Sequence, residues 1–435
     1  TECLLRAVQD LRQSVLNDTA GRCGPQHVGP KAVLDRAAAH LEQATQPHIR
    51  EAINATGIIL HTGLGRAVLP ERVIDSILPE LKGYVNLAID RDSGERIERD
   101  ELVEYLLTEL TGAEAATVVN NNSGATLLAL AALAAHREVI VSRGQLIEIG
   151  GSFRLPDVMA QSQARMVEVG TTNRTHLKDY RAALTENTAA ILRVHPSNYR
   201  VIGFTHEVGL AELVELAHSR GVLLLDDLGA GALVDLKLFG GPHEPTVQES
   251  IAAGADLVWF SADKLIGAGQ GGILVGRREL IEKVRQHPLM RALRVDKTCI
   301  LVLERTLQLF RDPERLRREH PTYRMLSTPL ETLEARARVL AEAIRRLAPR
   351  ATAEVVEAQA YMGSGSLPTE ALPSRAVRVS LPGVHPSALA KQLRLDRACV
   401  FGRIENDQFL LDVRTLTDAQ VAAVAEALGR AAAAE

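Results

Sequence analysis

Aromatic side chains are scarce in this chain of 435 residues: Phe, Trp and Tyr together make up 3% of it. The core must therefore be built mainly from aliphatic residues, within a hydrophobic content of 46%. The chain also lacks a signal peptide and any apolar run of about 18 residues, the length that a membrane-spanning helix needs. With 24% charged residues, the composition is that of a soluble globular protein, which we expect to be cytoplasmic.

Cysteines are few, and nucleotide-binding motifs and a large net charge are absent from the sequence. The four cysteines Cys3, Cys23, Cys299 and Cys399 are scattered without metal-binding spacing, so we expect neither disulfides nor a metal site. No GxGxxG or GxxxxGK[ST] pattern is present, which argues against a dinucleotide or a nucleoside triphosphate. A net charge of −4 gives no overall attraction to nucleic acid, so RNA binding would need a local basic surface.

The stretch that ends in Lys264 carries the strongest chemical signal. The apolar run Ala255–Phe260 leads into Ser261-Ala262-Asp263-Lys264, and a glycine-rich segment follows. A lysine delivered by a buried strand loses part of its ammonium character and becomes a nucleophile towards carbonyl groups. This chemistry is that of a Schiff base with pyridoxal phosphate. The alternative is a surface lysine in a polar turn.

A second signal is a small polar turn between a predicted strand, Ala116–Val119, and a predicted helix, Leu127–Ala135. The turn contains Asn122, Ser123, Gly124 and Ala125. Backbone N–H groups at such a turn and at the following helix N-terminus can bind a phosphate. We predict a site for a single phosphate here, and the alternative is an ordinary helix cap.

Predicted strands at 139–141, 166–169, 189–194 and 222–225 alternate with helical stretches, which indicates a mainly parallel sheet covered on both faces. Ligands of such sheets bind beyond the carboxyl ends of the strands. Asp227 follows one of these strands and can keep a pyridine nitrogen protonated, so that the ring withdraws electrons. A helix cap or a metal ligand are the alternatives for Asp226 and Asp227.

Two pairs of arginines suggest a polyanionic co-substrate. Arg96 and Arg99 are predicted to lie on one face at the start of a helix, and Arg291 and Arg294 repeat the same spacing. Paired guanidinium groups bind phosphate through forked hydrogen bonds. A solvated charged face or a structural salt-bridge network are the alternatives. Upstream, glycines and Arg66 predict a loop that runs close to a ligand.

The outer parts of the chain are predicted to form smaller modules. Residues 1–50 are typical of two amphipathic helices around a break at Gly21–Pro30, and residues 298–347 are largely helical. From Ala351 onward, short strands alternate with helices in an α+β pattern. We therefore expect an N-terminal helical module at 1–52, a large α/β domain at 53–325 and a small α+β domain at 326–435.

Eight segments between Ile53 and Arg414 together resemble the bacterial selenocysteine synthases, also called L-seryl-tRNA(Sec) selenium transferases. The segments are INATGIILHTGLGRAVL, VVNNNSGA, VSRGQLIEIGGSFRLPDVM, EVGTTNRTH, HPSNYRVIGF, DLGAGALVDL, FSADKLIGAGQGGILVG and HPLMRALRVDK. The resemblance implies a fold-type I pyridoxal phosphate enzyme of the α/β class, similar to aspartate aminotransferase, with a mainly parallel seven-stranded sheet.

The resemblance also implies site residues. Lys264 would be the Schiff-base lysine, and Asp227 the partner of the pyridine nitrogen. The remaining residues of the implied site would bind the cofactor phosphate (Asn122, Ser123, Gly124, Ala125 and Ser261), lie near its ring (Ser197 and Asn198) or bind selenophosphate (Arg96, Arg291 and Arg294).

By the same resemblance, the reaction converts L-seryl-tRNA(Sec) to L-selenocysteinyl-tRNA(Sec) with selenophosphate, through a cofactor-bound dehydroalanyl intermediate. The partners would be the charged tRNA, bound by the N-terminal module, and further copies of the chain in a decamer of five dimers. Only 52 residues precede Ile53, fewer than we expect for the family, which predicts a truncated module. The lysine motif reads SADKLIGAGQ where SGDKLLGGPQ is more typical. The alternatives are a related pyridoxal lyase acting on a small phosphorylated amino acid or amino sugar, and a non-catalytic RNA-binding scaffold.

Overall fold

The structure is a computed structural model that describes residues 1–17, 29–45, 47–149, 153–196, 199–364 and 366–433. It divides into two compact units, residues 1–52 and residues 53–435. The first unit contains the two predicted amphipathic helices, α1 (Glu2–Leu16) and α2 (Pro30–Thr45). They pack through the small residues Ala7 and Ala37, and His40 contacts Asp10 with its Nε2 atom 2.8 Å from a carboxylate oxygen.

The second unit contains all the strands of the described chain. In order these are β1 (Ile53–Asn54), β2 (Ala115–Val119), β3 (Glu138–Ser142), β4 (Glu148–Ile149), β5 (Phe153–Arg154), β6 (Arg165–Val169), β7 (Thr188–Val194), β8 (Leu223–Gly229), β9 (Leu257–Ser261), β10 (Gly272–Gly276), β11 (Thr352–Gly363), β12 (Ser366–Ser380), β13 (Val400–Phe401), β14 (Arg403–Glu405) and β15 (Gln408–Asp412).

Its helices surround these strands. They are α3 (Glu71–Leu81), α4 (Glu101–Thr111), α5 (Asn122–Ala134), α6 (Leu155–Gln161), α7 (Leu177–Ala183), α8 (Leu210–Ser219), α9 (Val247–Ala252), α10 (Arg278–Gln286), α11 (Leu289–Ala292), α12 (Lys297–Leu307), α13 (Pro313–Glu319), α14 (Pro321–Ser327), α15 (Leu330–Leu347), α16 (Pro386–Leu395) and α17 (Asp418–Ala433). Within the described ranges, none of the helices is both long and apolar enough to cross a membrane.

The central sheet has seven strands in the order β2-β10-β9-β8-β7-β3-β6. Only β10 runs antiparallel to its neighbours, and the other six strands share one direction. Strands β2, β7, β9 and β10 are mostly apolar and almost wholly buried, as expected for a sheet that is covered by helices on both faces. The predicted mainly parallel seven-stranded sheet is therefore confirmed, and its carboxyl edge gathers the loops that carry the predicted site.

The C-terminal part is built on a four-stranded antiparallel sheet in the order β11-β12-β15-β14. Its core includes residues of α15, α16 and α17, and Ile53 and Ala55 belong to the same core. Strand β1 pairs with β13, so the first residues after 52 are tied to this part of the chain. The predicted strand Phe409–Val413 corresponds to β15, and the predicted strand Val377–Ser380 is the end of β12, which is longer than expected and forms a long hairpin with β11.

Three local predictions were wrong. Helix α5 starts at Asn122, so the expected phosphate loop forms its first turn, because the Asn121 side chain caps Gly124 N–H at 2.7 Å. Strand β8 runs through Asp227 instead of ending before it. The segment with Arg96 is not helical, because Ser93 turns the chain by bonding to Asp90 and helix α4 begins only at Glu101.

Candidate active site

Lys264 lies in the turn that follows β9, at the carboxyl edge of the central sheet. Its side chain is buried, with 6% of the residue exposed. Burial, reinforced by the nearby positive charge of Arg66, lowers the pKa of Lys264, whereas the negative charges of Asp227, Asp263 and Glu244 oppose the shift. The amine is therefore nearer to its neutral, nucleophilic form than that of an exposed lysine.

Asp227 lies on the neighbouring strand, β8, between Val194 of β7 and Trp259 of β9. Its carboxylate accepts hydrogen bonds from Asn122 Nδ2 and Gly229 N, both at 3.0 Å, and from Thr126 Oγ1 at 3.3 Å. Burial raises the pKa of Asp227, and the bonds from Asn122 and Gly229 act against that rise.

The first turn of α5 brings the predicted phosphate-binding residues to the same edge. Asn122 joins this turn to Asp227, Gly124 and Ala125 are buried, and Ser261 is buried at the end of β9. The Oδ1 atom of Asn122 is buried without a hydrogen-bond partner among the described residues. A buried acceptor of this kind is costly unless a ligand donates to it.

Three of the predicted arginines, Arg99, Arg291 and Arg294, lie together near this turn, and Arg96 is not among the residues that line their cavity. Arg294 forms an isolated bridge with Val119, and Leu293 O accepts a hydrogen bond from Asn120 N at 2.8 Å. Arg99 and Arg291 line the same cavity of about 250 Å³ as Arg294. The positive charges of Arg99, then Arg291 and least of all Arg96, lower the pKa of Arg294. Such mutual repulsion is relieved when an anion binds.

Arg66 contacts the site from a loop near the start of the second unit. Its Nη1 atom lies 2.6 Å from Asp263 Oδ2, directly before Lys264 in the chain. The sequence predicted a ligand-proximal loop here, but not this pairing. No spacing rule links Arg66 with Asp263, because 197 residues separate them.

Sequence reasoning also missed a cavity of about 520 Å³ over the ends of β3, β6 and β7. His195 and Glu244 line it, with His195 Nε2 lying 3.4 Å from Glu244 Oε1. The backbone N–H of His195 donates to Asp227 O at 2.8 Å, which places the cavity beside Asp227. His195 begins the HPSNYRVIGF segment of the family resemblance, whereas no sequence signal singled out Glu244. The predicted ring neighbours Ser197 and Asn198 lie outside the described residues.

A family model described as L-seryl-tRNA selenium transferase matches residues 52–417. The chain belongs to this family. Three relatives named L-seryl-tRNA(Sec) selenium transferase are similar to this chain in sequence. The relative from Methylocella silvestris is 48% identical and covers 96% of this chain and 89% of its own length. The relative from Haemophilus influenzae is 49% identical and covers 87% of this chain and 83% of its own length. The relative from Geobacter sulfurreducens is 46% identical and covers 94% of this chain and 89% of its own length.

The solved structure of D-glucosaminate-6-phosphate ammonia-lyase shares the fold of this selenium transferase family member. Its TM-score is 0.62, and the match covers 91% of this chain and 99% of the other at 22% identity. At that identity the likeness shows the fold alone. The family resemblance and the fold-type I architecture expected from the sequence are thus both confirmed.

Proposed function

We propose that the chain is an L-seryl-tRNA(Sec) selenium transferase that converts L-seryl-tRNA(Sec) to L-selenocysteinyl-tRNA(Sec), with pyridoxal 5'-phosphate as cofactor and selenophosphate as donor. The observation that carries the proposal is the buried pair Lys264, in the turn after β9, and Asp227, on the adjacent parallel strand β8, within a chain of this family. Membership of the family supports the substrate, and the pair supports the cofactor.

The residues fit pyridoxal phosphate. Lys264 offers an amine with a lowered pKa, and Asp227 a buried carboxylate that a protonated ring nitrogen would stabilise. The residues assigned to the cofactor phosphate are Asn122, Ser123, Gly124, Ala125 and Ser261. The unpartnered Asn122 Oδ1 is an acceptor, so it supports a ligand that donates a hydrogen bond there, which is not the phosphate group. Ser197 and Asn198 are assigned to the ring. When bound, the cofactor supplies a carbonyl group that condenses with amines and a ring that withdraws electrons.

Lys264 and Asp227 have separate roles in the proposed reaction. The neutral amine of Lys264 would accept the Cα proton of the seryl group, and the hydroxyl would leave Cβ as water after taking a proton from solvent. The selenium of selenophosphate would then add at Cβ, the protonated Lys264 would return a proton to Cα, and water would cleave the Se–P bond to release phosphate. Asp227 stays ionised and keeps the ring nitrogen protonated. Both groups lie at the carboxyl edge of the central sheet, and each contributes to the electrostatic environment of the other.

Arg96, Arg291 and Arg294 are assigned to selenophosphate, and Arg99 joins them in this proposal. The lowered pKa of Arg294, caused first by the charge of Arg99, supports a site that an anion neutralises. The cavity with His195 and Glu244 is large enough for the seryl end of the tRNA. Selenophosphate and the tRNA end would thus approach from different sides.

The remaining parts of the proposal concern partners. Residues 1–52 bind the tRNA, residues 53–325 and 326–435 act as the large and small domains, and the chain assembles into a cytoplasmic decamer of five dimers. These assignments rest on the family resemblance.

The test is the visible absorption spectrum of the purified chain with added cofactor. A band near ~420 nm, the usual region for the cofactor linked to a lysine, should form and change when seryl-tRNA(Sec) is added, but not with free serine. Lys264→Ala should abolish the band, with Lys178→Ala on α7 as the matched control. A band that responds to free serine alone would favour the small-molecule lyase, and no band after reconstitution would refute the cofactor assignment.

A further inference from the structure

Four rings lie behind the Lys264 turn, and we call them the ring cluster: Phe239, Phe310, His320 and Tyr323. All four are buried. Tyr323 is central, with ring centroids 4.7 Å from Phe239, 5.0 Å from His320 and 5.7 Å from Phe310. Because aromatic residues make up only 3% of the chain, this concentration at one place is unusual.

Two members of the ring cluster bind the peptide groups that follow Lys264. Tyr323 Oη donates a hydrogen bond to Leu265 O, and His320 Nε2 lies 2.9 Å from Ile266 O. The Tyr323 bond also measures 2.9 Å. A carbonyl oxygen can only accept, so His320 must carry its proton on Nε2.

His320 is held in this one protonation state. Its Nδ1 atom is buried and has no hydrogen-bond partner in the described part of the chain. A second proton would place an uncompensated charge there, and burial accordingly lowers the pKa of His320 to about 4. At neutral pH the ring is therefore a fixed, neutral donor to Ile266 O.

Gly267 lets the ring lie directly against the turn. Its φ is +68°, and a Cβ atom at this position would be 2.2 Å from His320 Cε1. Its N–H donates to Lys264 O at 3.1 Å, which closes the turn from the other side. The turn is thus bound by its own backbone and by two side chains.

The far end of helix α14 is also anchored. His320 and Tyr323 are at its N-terminal end, and Arg414 Nη1 donates to Met325 O at 2.7 Å and to Leu326 O at 3.2 Å at its C-terminal end. Arg414 itself is buried and follows β15 of the C-terminal sheet. The donors to the lysine turn are therefore held on a helix that is fixed at both ends.

We propose that His320 and Tyr323 are positioning residues for Lys264: by holding the carbonyls of Leu265 and Ile266, they keep the lysine amine buried at one place beside Asp227. Phe239 and Phe310 fix the two donors by packing. The proposal rests on the proposed role of Lys264. It assigns a function at the site to side chains more than 50 residues downstream that touch no reacting atom.

The test measures the pKa of Lys264 in the full chain freed of cofactor. The rate at which a small amine-reactive reagent modifies Lys264 is followed against pH by mass spectrometry of its peptide. Tyr323→Phe and His320→Leu should each raise this pKa by about half a unit or more towards 10.5, because the loosened turn admits water. The facing charges, Arg66, Asp227, Asp263 and Glu244, are unchanged in both variants.

Two further variants serve as controls. His320→Gln keeps a donor and should leave the Lys264 pKa at its wild-type value. Tyr180→Phe removes another buried hydroxyl, which is hydrogen-bonded to Ser142. This variant should lower the midpoint temperature of thermal unfolding without changing the pKa of Lys264. If His320→Leu does not fold, Tyr323→Phe alone decides.

Two outcomes would overturn the inference: a Lys264 pKa that stays at the wild-type value in Tyr323→Phe, or a His320→Gln variant in which it rises as much as in His320→Leu. Either would mean that the ring cluster only stabilises the fold. A Lys264 pKa that is ordinary already in the wild-type chain would instead contradict the proposed function. The two failures are therefore distinguishable.

Discussion

Burial is the shared cause of the opposite pKa shifts of Lys264 and Asp227. It disfavours the charged form of both groups, so the pKa of the amine falls and that of the carboxyl rises. A cationic ring nitrogen beside Asp227 would stabilise the ionised carboxylate, and a carbonyl group would react with the neutral amine of Lys264. The two residues are thus suited to bind two different parts of one group, its ring nitrogen and its carbonyl.

At the residue scale, Arg294→Ala should raise the KM for selenophosphate by about tenfold or more, because one charge-assisted hydrogen bond to the phosphate is lost. Binding of seryl-tRNA(Sec) should not change. Steady-state kinetics and a tRNA binding assay measure the two quantities. Arg346→Ala, on the exposed side of α15, is the control, and an unchanged KM in Arg294→Ala would contradict the assignment.

His320 predicts a pH dependence of stability. Its pKa is about 4 in the folded chain and 6.5 in the unfolded chain, so between about pH 6.5 and about pH 4 the unfolded chain binds this proton and the folded chain largely does not. Stability should therefore fall as the pH falls through this window, by about 3 kcal/mol in total from this residue.

Urea unfolding at pH 7 and pH 5 checks this prediction. His320→Gln should lose less free energy of unfolding between the two pH values than the wild type, because glutamine does not titrate. Equal losses in the two proteins would contradict the prediction, because they would mean that folding does not shift the pKa of His320.

At the element scale, the site depends on how closely β10 approaches the start of α5. A Cβ atom at Gly272 would lie 2.2 Å from Asn121 O and 2.9 Å from Asn122 N, which are backbone atoms that cannot swing aside. The sheet edge and the predicted phosphate-binding turn are therefore in direct backbone contact. Only a residue without a side chain permits this at the first position of β10.

Gly272→Ala should therefore displace the turn, lowering the affinity for pyridoxal phosphate by about tenfold and the free energy of unfolding by about 1–3 kcal/mol. Absorption titration with the cofactor and urea unfolding measure the two effects. Gly269→Ala is the matched control, since its nearest atom, Cys299 Cα, would lie at an ordinary 3.9 Å. Equal behaviour of the two variants would mean that the approach is not tight in solution.

At the scale of the whole molecule, residues 1–52 form a compact unit of their own. The described site residues all belong to the second unit. A chain that starts at Ile53 should therefore still bind pyridoxal phosphate and show its absorption band.

The shortened chain should, however, lose the spectral change on addition of seryl-tRNA(Sec), because the proposed tRNA-binding unit is gone. The full chain is the control for both measurements. A shortened chain that still responds to the charged tRNA would place recognition in residues 53–435.

The sequence by itself determined the sheet and most of its strands, because buried parallel strands are continuous aliphatic runs that need no partner to be recognised. It also indicated the main chemical residues. Lys264 follows one such run and Asp227 ends another, so their polar side chains contrast with the apolar residues before them in the sequence. The family followed from motifs whose order along the chain is informative without any contact.

Only the tertiary structure decided which distant residues meet. The pairing of Arg66 with Asp263, the cavity with Glu244, and the bonds of His320 and Tyr323 to the lysine turn join segments that are far apart in sequence. Element ends were equally hidden: α5 starts at Asn122 because Asn121 caps it, and Arg96 is non-helical because Ser93 bonds to Asp90. Burial and hydrogen-bond partners are properties of the folded chain, and composition or periodicity does not encode them locally.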